Sequence, residues 1–121
     1  MQELDLDQIY ETHKMYEMLN LYFKSFQNKD IKTLEKMFSE TVTLRDWEVD
    51  VKGIDRVLKA NQNIFSNTGD IKITRVSTIA HESGLTFSEI LIDVNGEQLK
   101  VLDVIVFNGD NKITSIRAYK G

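Results

Sequence analysis

The chain has no cysteine and no proline among its 121 residues. Without cysteine there is no disulfide, no thiolate nucleophile and no cysteine-ligated metal. A reducing compartment suits such a chain, and a cytoplasmic location is the expectation. Without proline, the breaks between elements must come from Gly, Asn and Asp. No apolar run approaches the roughly 20 residues that cross a bilayer, so no membrane partner is expected. The start, Met1 to Asp7, is acidic and lacks the basic and apolar regions of a secretory signal. Basic residues are in deficit, with 15 Lys and Arg against 19 Asp and Glu and a formal net charge of −4. A phosphate backbone would be repelled, and no nucleic-acid partner is expected.

Histidine is scarce too. His13 has no second histidine one helical turn away, and His81 falls in a loop, so neither points to a metal site. There is no glycine-rich phosphate loop, no nucleophile elbow and no triad pattern. Neither a metal nor a cofactor is expected.

What is present is ordinary globular material, 41% hydrophobic and 28% charged. Linkers, repeats and low-complexity stretches are lacking, which reads as a single domain over 1–121. A chain this long buries roughly two-thirds of its unfolded surface, enough for one good core.

Apolar periodicity predicts a long helix over about 7–27, with Met15, Met18, Leu19, Tyr22 and Phe26 on one face and Phe23 at its border. Asp30 is placed to cap a short second helix carrying Ile31, Leu34, Met37 and Phe38. Residues 41–49 read as a strand. A third helix follows Gly53 over about 54–66, with Val57, Asn61 and Phe65 among its inward positions. Strands are expected over 71–79, 85–94, 98–107 and 112–120, the middle two joined at Asn95-Gly96. The order α-α-β-α-β-β-β-β is an α+β signature. A curved antiparallel sheet wrapped around the long helix is the simplest way to bury both.

Strand 98–107 is apolar on both parities. One helix layer covers one sheet face, so a second copy of the chain is expected on the other, giving a homodimer through the sheet; a fully wrapped monomer is the alternative.

Asp103 interrupts the run Val101 to Phe107. An ionised carboxylate in such a strand costs several kcal/mol by rough reckoning unless it is paired or protonated. Pairing with Arg117 depends on register. A four-residue loop 108–111 puts Asp103 opposite Ile116, and a five-residue loop puts it opposite Arg117. The turn formers favour four. Unpaired and facing a cavity, Asp103 would be a protonated hydrogen-bond donor. Asp46 shares parity with Val42 and Leu44 and should point to the core side, unless the strand frays and leaves it solvated. Tyr22 lies on the apolar helix face, where its hydroxyl either bonds a backbone carbonyl or serves a site.

These residues resemble a known family. The stretch from Tyr22-Phe23 through Gln27-Asn28-Lys29-Asp30-Ile31 to Leu44-Arg45-Asp46, then Lys52-Gly53, and the ending Asp103 to Asn108-Gly109 with Lys112-Ile113, Ile116-Arg117-Ala118-Tyr119, is similar to the NTF2-like superfamily, its SnoaL-like and ketosteroid-isomerase-like branch. The resemblance implies a cone with an apolar pocket, commonly dimeric through the sheet. It implies a base at Asp46 and oxyanion donors at Tyr22 and protonated Asp103, the three positions already singled out. Asp46-Trp47 stands where the isomerases carry Asp-Pro.

The activity this suggests is cofactor-free proton transfer next to a carbonyl, on a small apolar or mixed-polarity ligand, as in an isomerase, lyase or cyclase. The alternative is a non-catalytic ligand-binding or dimerisation module.

Overall fold

The computed structural model describes residues 6–121. Residues 1–5, most of the acidic start, lie outside the described residues, and with them the reading of that start as no secretory signal. Among the described residues, no helix is long and apolar enough to cross a membrane.

Helix α1 spans Leu6–Gln27. Its buried stripe holds Met15, Leu19, Tyr22 and Phe23, the face that a 3.6-residue period aligns. Phe23, expected at the border, is buried as part of the core, and the Arg75 guanidinium from the sheet lies 5.9 Å from its ring centre. Asp30 caps α2, Ile31–Met37, by accepting from Thr33 N at 3.1 Å. The preceding residue, Lys29, sends Nζ to the carbonyls of Phe65 and Thr68 at 3.0 and 2.6 Å. A cation thereby satisfies the C-terminal end of α3, Ile54–Asn67, and ties it to α1.

The strands are β1 Phe38–Arg45, β2 Asp50–Lys52, β3 Ile71–Ala80, β4 Leu85–Val94, β5 Glu97–Phe107 and β6 Ile113–Lys120. They form one sheet in the order β2-β1-β6-β5-β4-β3, parallel only between β1 and β6. The α+β expectation holds, with one correction to the element order. The single strand read over 41–49 is β1, a turn and the short antiparallel β2, so the order is α-α-β-β-α-β-β-β-β. The cause is local: Asp46 Oδ1 accepts from Glu48 N and Val49 N at 2.7 and 2.6 Å, which reverses the chain.

A second correction concerns the β5–β6 hairpin. The loop is the five residues 108–112 rather than the four that the turn formers favour, but a bulge just beyond it changes the register. Phe107 pairs with Ile113 and Val106 with Ser115, so Thr114 is a bulge residue. Asp103 therefore faces Ala118, and Arg117 faces Val104 on the opposite side of the sheet. The Asp103–Arg117 pair is excluded by the pleat, because adjacent register positions point to opposite faces.

The concave face of the sheet holds the core: Val42, Leu44, Ile90, Val101, Ile105, Phe107, Ile113 and Ile116 are all buried beneath the helices. Edge strand β3 is covered by α1. Gln27 Oε1 accepts from Ile73 N at 2.8 Å, and the Tyr16 hydroxyl donates to the Thr78 carbonyl at 2.6 Å. At the β3–β4 turn, Gly84 has a φ of +98° and a Cβ there would lie 2.1 Å from the Phe107 carbonyl oxygen, so only glycine fits.

Candidate functional site

Between the sheet, α1 and α3 lies a cavity of about 920 Å³. That is the upper part of the range for pockets that hold small organic ligands. Phe23, Phe26, Leu44, Ile64, Ile90, Val101 and Ile116 give it apolar walls. Tyr22, Asp46 and Asp103, the three site residues expected from the sequence, all line it.

Asp103 reaches the cavity through strand alternation. Val101, Asp103, Ile105 and Phe107 occupy successive inward positions of β5, and all four are buried. Asp103 is only 7% exposed. Its neighbours across the ladder are Ser88 on β4 and Ala118 on β6. The Ser88 hydroxyl bonds that of Thr78 at 3.1 Å. Burial first, and the negative charge of Asp46 second, push the Asp103 carboxyl up to about 7. Below that pH it is a neutral acid with a proton to donate.

Tyr22 is fixed in α1 by three aromatic neighbours, Phe23, Phe26 and Phe38, at centroid distances of 5.4, 6.3 and 6.4 Å. Its hydroxyl is not bonded to a backbone carbonyl among the described residues. Burial, and then the charge of Asp103, drive the Tyr22 phenol well above its ordinary value. It stays a neutral O–H donor at any working pH. Tyr22 and Asp103 thus form a pair of donors at the cavity wall.

Asp46 is at the first position of the β1–β2 turn, beyond the end of the strand rather than within it. It is half-buried at the rim. Its Oδ1 is committed to two backbone N–H groups, which orients the carboxylate, while the group as a whole still lines the cavity. Trp47 beside it is exposed, with Lys120 Nζ 5.8 Å from its ring centre.

One polar group in the wall was not singled out from the sequence as a site residue. Asn61 on α3 is 2% exposed, lines the cavity, and its Nδ2 has no hydrogen-bond partner. The available signal was an amide in the middle of an apolar helical stripe, between Val57 and Phe65.

His13 pairs with Glu17 at 3.2 Å on the exposed face of α1, and His81 bonds Ser83 at 2.8 Å. Among the described residues, no three His, Asp or Glu side chains converge as metal ligands would. The arrangement offers two buried neutral donors, one carboxylate at the rim and apolar walls. Such a set can hold a carbonyl oxygen and exchange a proton close by.

No protein-family model matches the chain, and no curated protein matches it in sequence. Solved structures do match it in fold. A candidate ketosteroid isomerase from Kribbella flavida superposes with a TM-score of 0.78 at 13% identity, covering 92% of this chain and 80% of that one. A candidate polyketide cyclase from Sinorhizobium meliloti gives 0.75 at 12% identity, covering 84% and 93%. An NTF2-like protein of unknown function from Cytophaga hutchinsonii gives 0.74 at 12% identity, covering 88% and 89%. Three helices and an open curved sheet, shared with these structures over most of their lengths, give this protein the NTF2-like fold.

Proposed function

We propose that the protein binds a small, mostly apolar carbonyl compound in its cavity and transfers a proton at the carbon next to the carbonyl. The carbonyl oxygen sits between Tyr22 and protonated Asp103. Asp46 takes the α-proton. The C–H electron pair moves into the new carbon–carbon double bond, and the carbonyl π pair moves onto oxygen. The two donors bond the resulting enolate oxygen more strongly than the ground-state carbonyl, which is what lowers the barrier. Protonated Asp46 then returns the proton to the same carbon or to a conjugated one. Isomerase, lyase and cyclase outcomes share the first step.

The observation that carries this reading is that Tyr22 and a buried Asp103, whose carboxyl is pushed up to about 7, line the same cavity. The candidate isomerase and cyclase among the structural neighbours are in keeping with it. The test is turnover of a β,γ-unsaturated ketone, followed by the appearance of the conjugated enone. Asp46→Asn keeps the Oδ1 that the turn needs and removes the base. A loss of about 10²–10⁴-fold is expected; undiminished turnover in the variant would rule Asp46 out as the base.

A second reading has an observation of its own. The two backbone bonds to Asp46 Oδ1 give that residue a structural job whether or not it is a base. On this reading the cavity binds a carbonyl ligand without transforming it. A bound, unaltered enone after long incubation favours it.

We also propose that the outer sheet face pairs with a second copy of the chain. Phe87, Leu102 and Tyr119 are exposed there on adjacent strands. Light scattering at micromolar concentration separates dimer from monomer, and Leu102→Glu should shift the balance towards monomer.

A further inference from the structure

Asn61 is an anomaly in its helix. It lies four residues from Val57 and four from Phe65, on the buried face of α3. Leucine would favour the helix more and would bury without penalty. Instead an amide sits there, 2% exposed, with a nitrogen that bonds nothing in the described chain. A buried donor without a partner destabilises the fold, and native proteins keep few of them. Where one persists, a site is the usual reason, because functional groups are where local preference is overruled. The position agrees: Asn61 lines the same cavity as Tyr22 and Asp103 but projects from α3, whereas those two come from α1 and β5.

We propose that Asn61 is a ligand-binding donor, and that the ligand of this cavity carries a second acceptor oxygen for it. The inference rests on the reading that Tyr22 and Asp103 hold the first oxygen. It narrows the ligand class to apolar molecules with two separated oxygens, such as diketones, hydroxyketones or keto esters. A mono-oxygenated hydrocarbon would leave Asn61 unpaired and would bind less tightly. The group is neutral and cannot take a proton at neutral pH, so its part is recognition and orientation rather than proton transfer.

The experiment uses 2-naphthol and its positional acetyl isomers as fluorescent probes. The phenolic oxygen imitates an enolate at the donor pair, and the acetyl oxygen explores the position of the second acceptor. In the wild-type protein, at least one acetyl isomer should bind about tenfold more tightly than 2-naphthol, the size of one well-made neutral hydrogen bond. In Asn61→Leu the ratio of the two affinities should fall to near one. The same variant should melt at or above the wild-type temperature, since it removes an unpaired buried amide. Asn61→Ala serves as a second variant with the donor removed and no bulk added.

A ratio unchanged in both variants overturns the inference, as does the lack of any gain among the acetyl isomers in the wild type. Failure of the underlying reading looks different. There 2-naphthol itself would not bind, or Tyr22→Phe and Asp103→Leu would leave its affinity untouched.

Discussion

Replacing Asp103 with asparagine should make the protein more stable, and by an amount that depends on pH. The carboxyl is pushed from an ordinary value of 3.8 up to about 7, by burial and by the charge of Asp46. A group whose acidity is weakened in the fold holds its proton more tightly there than in the unfolded chain. Between about pH 4 and 7 the folded state therefore binds more protons than the unfolded state, and stability falls as pH rises through that window. Above pH 7 the fold must carry an ionised buried carboxylate. Each tenfold change in acidity is worth about 1.4 kcal/mol, so the cost approaches about 4 kcal/mol at pH 8. The amide of the Asp103→Asn variant has the same shape and no charge to bury. Urea unfolding of both proteins should give little difference at pH 4 and a widening one towards pH 8. For a chain of this size the full difference corresponds to roughly 15 °C in melting temperature. A gap that stays flat from pH 4 to 8 would refute the claim that Asp103 is held neutral by its surroundings. The same variant retains an N–H donor, so turnover that falls above pH 7 in the wild type should become independent of pH in that range.

Tyr22→Phe should lower turnover about 10²–10³-fold by removing one oxyanion donor. Its stability should hardly change, because the hydroxyl has no protein partner among the described residues to lose; a large fall in urea midpoint would argue for a structural bond instead. Gly84→Ala should destabilise by at least 1–3 kcal/mol, order of magnitude, because it combines a left-handed backbone with a collision against the Phe107 carbonyl. Thermal unfolding checks it, and a melting temperature within about 2 °C of wild type would contradict the close approach. Leu19→Ala, at a fully buried position beneath the sheet, should cost about 2–5 kcal/mol in chemical denaturation.

Much of the fold was legible because its signals are local. The apolar stripe of α1, the Asp30 cap and the Asn95-Gly96 turn each act over a few residues, and the structure has them where the sequence predicted them. The β1–β2 reversal was missed because Asp46-Trp47-Glu48-Val49 lacks glycine and proline. The chain turns there on one side-chain carboxylate, a device that leaves little compositional trace. Phe23, expected at the border of the stripe, is buried in a core whose other members come from segments far along the chain, which no local pattern reports.

The amino-acid order by itself determined that a carboxylate must lie within an apolar strand, since alternation and hydrophobicity are properties of neighbouring residues. Which way that carboxylate is resolved was decided only by the folded arrangement. One bulge at Thr114 moves the β6 register by a residue, turns Arg117 to the far side and leaves Asp103 facing Ala118. Burial and the approach of Asp46 from the rim then weaken its acidity. The unpaired Asn61 amide has the same origin: whether a donor finds an acceptor depends on what other segments bring within about 3 Å, and no local pattern encodes that distance.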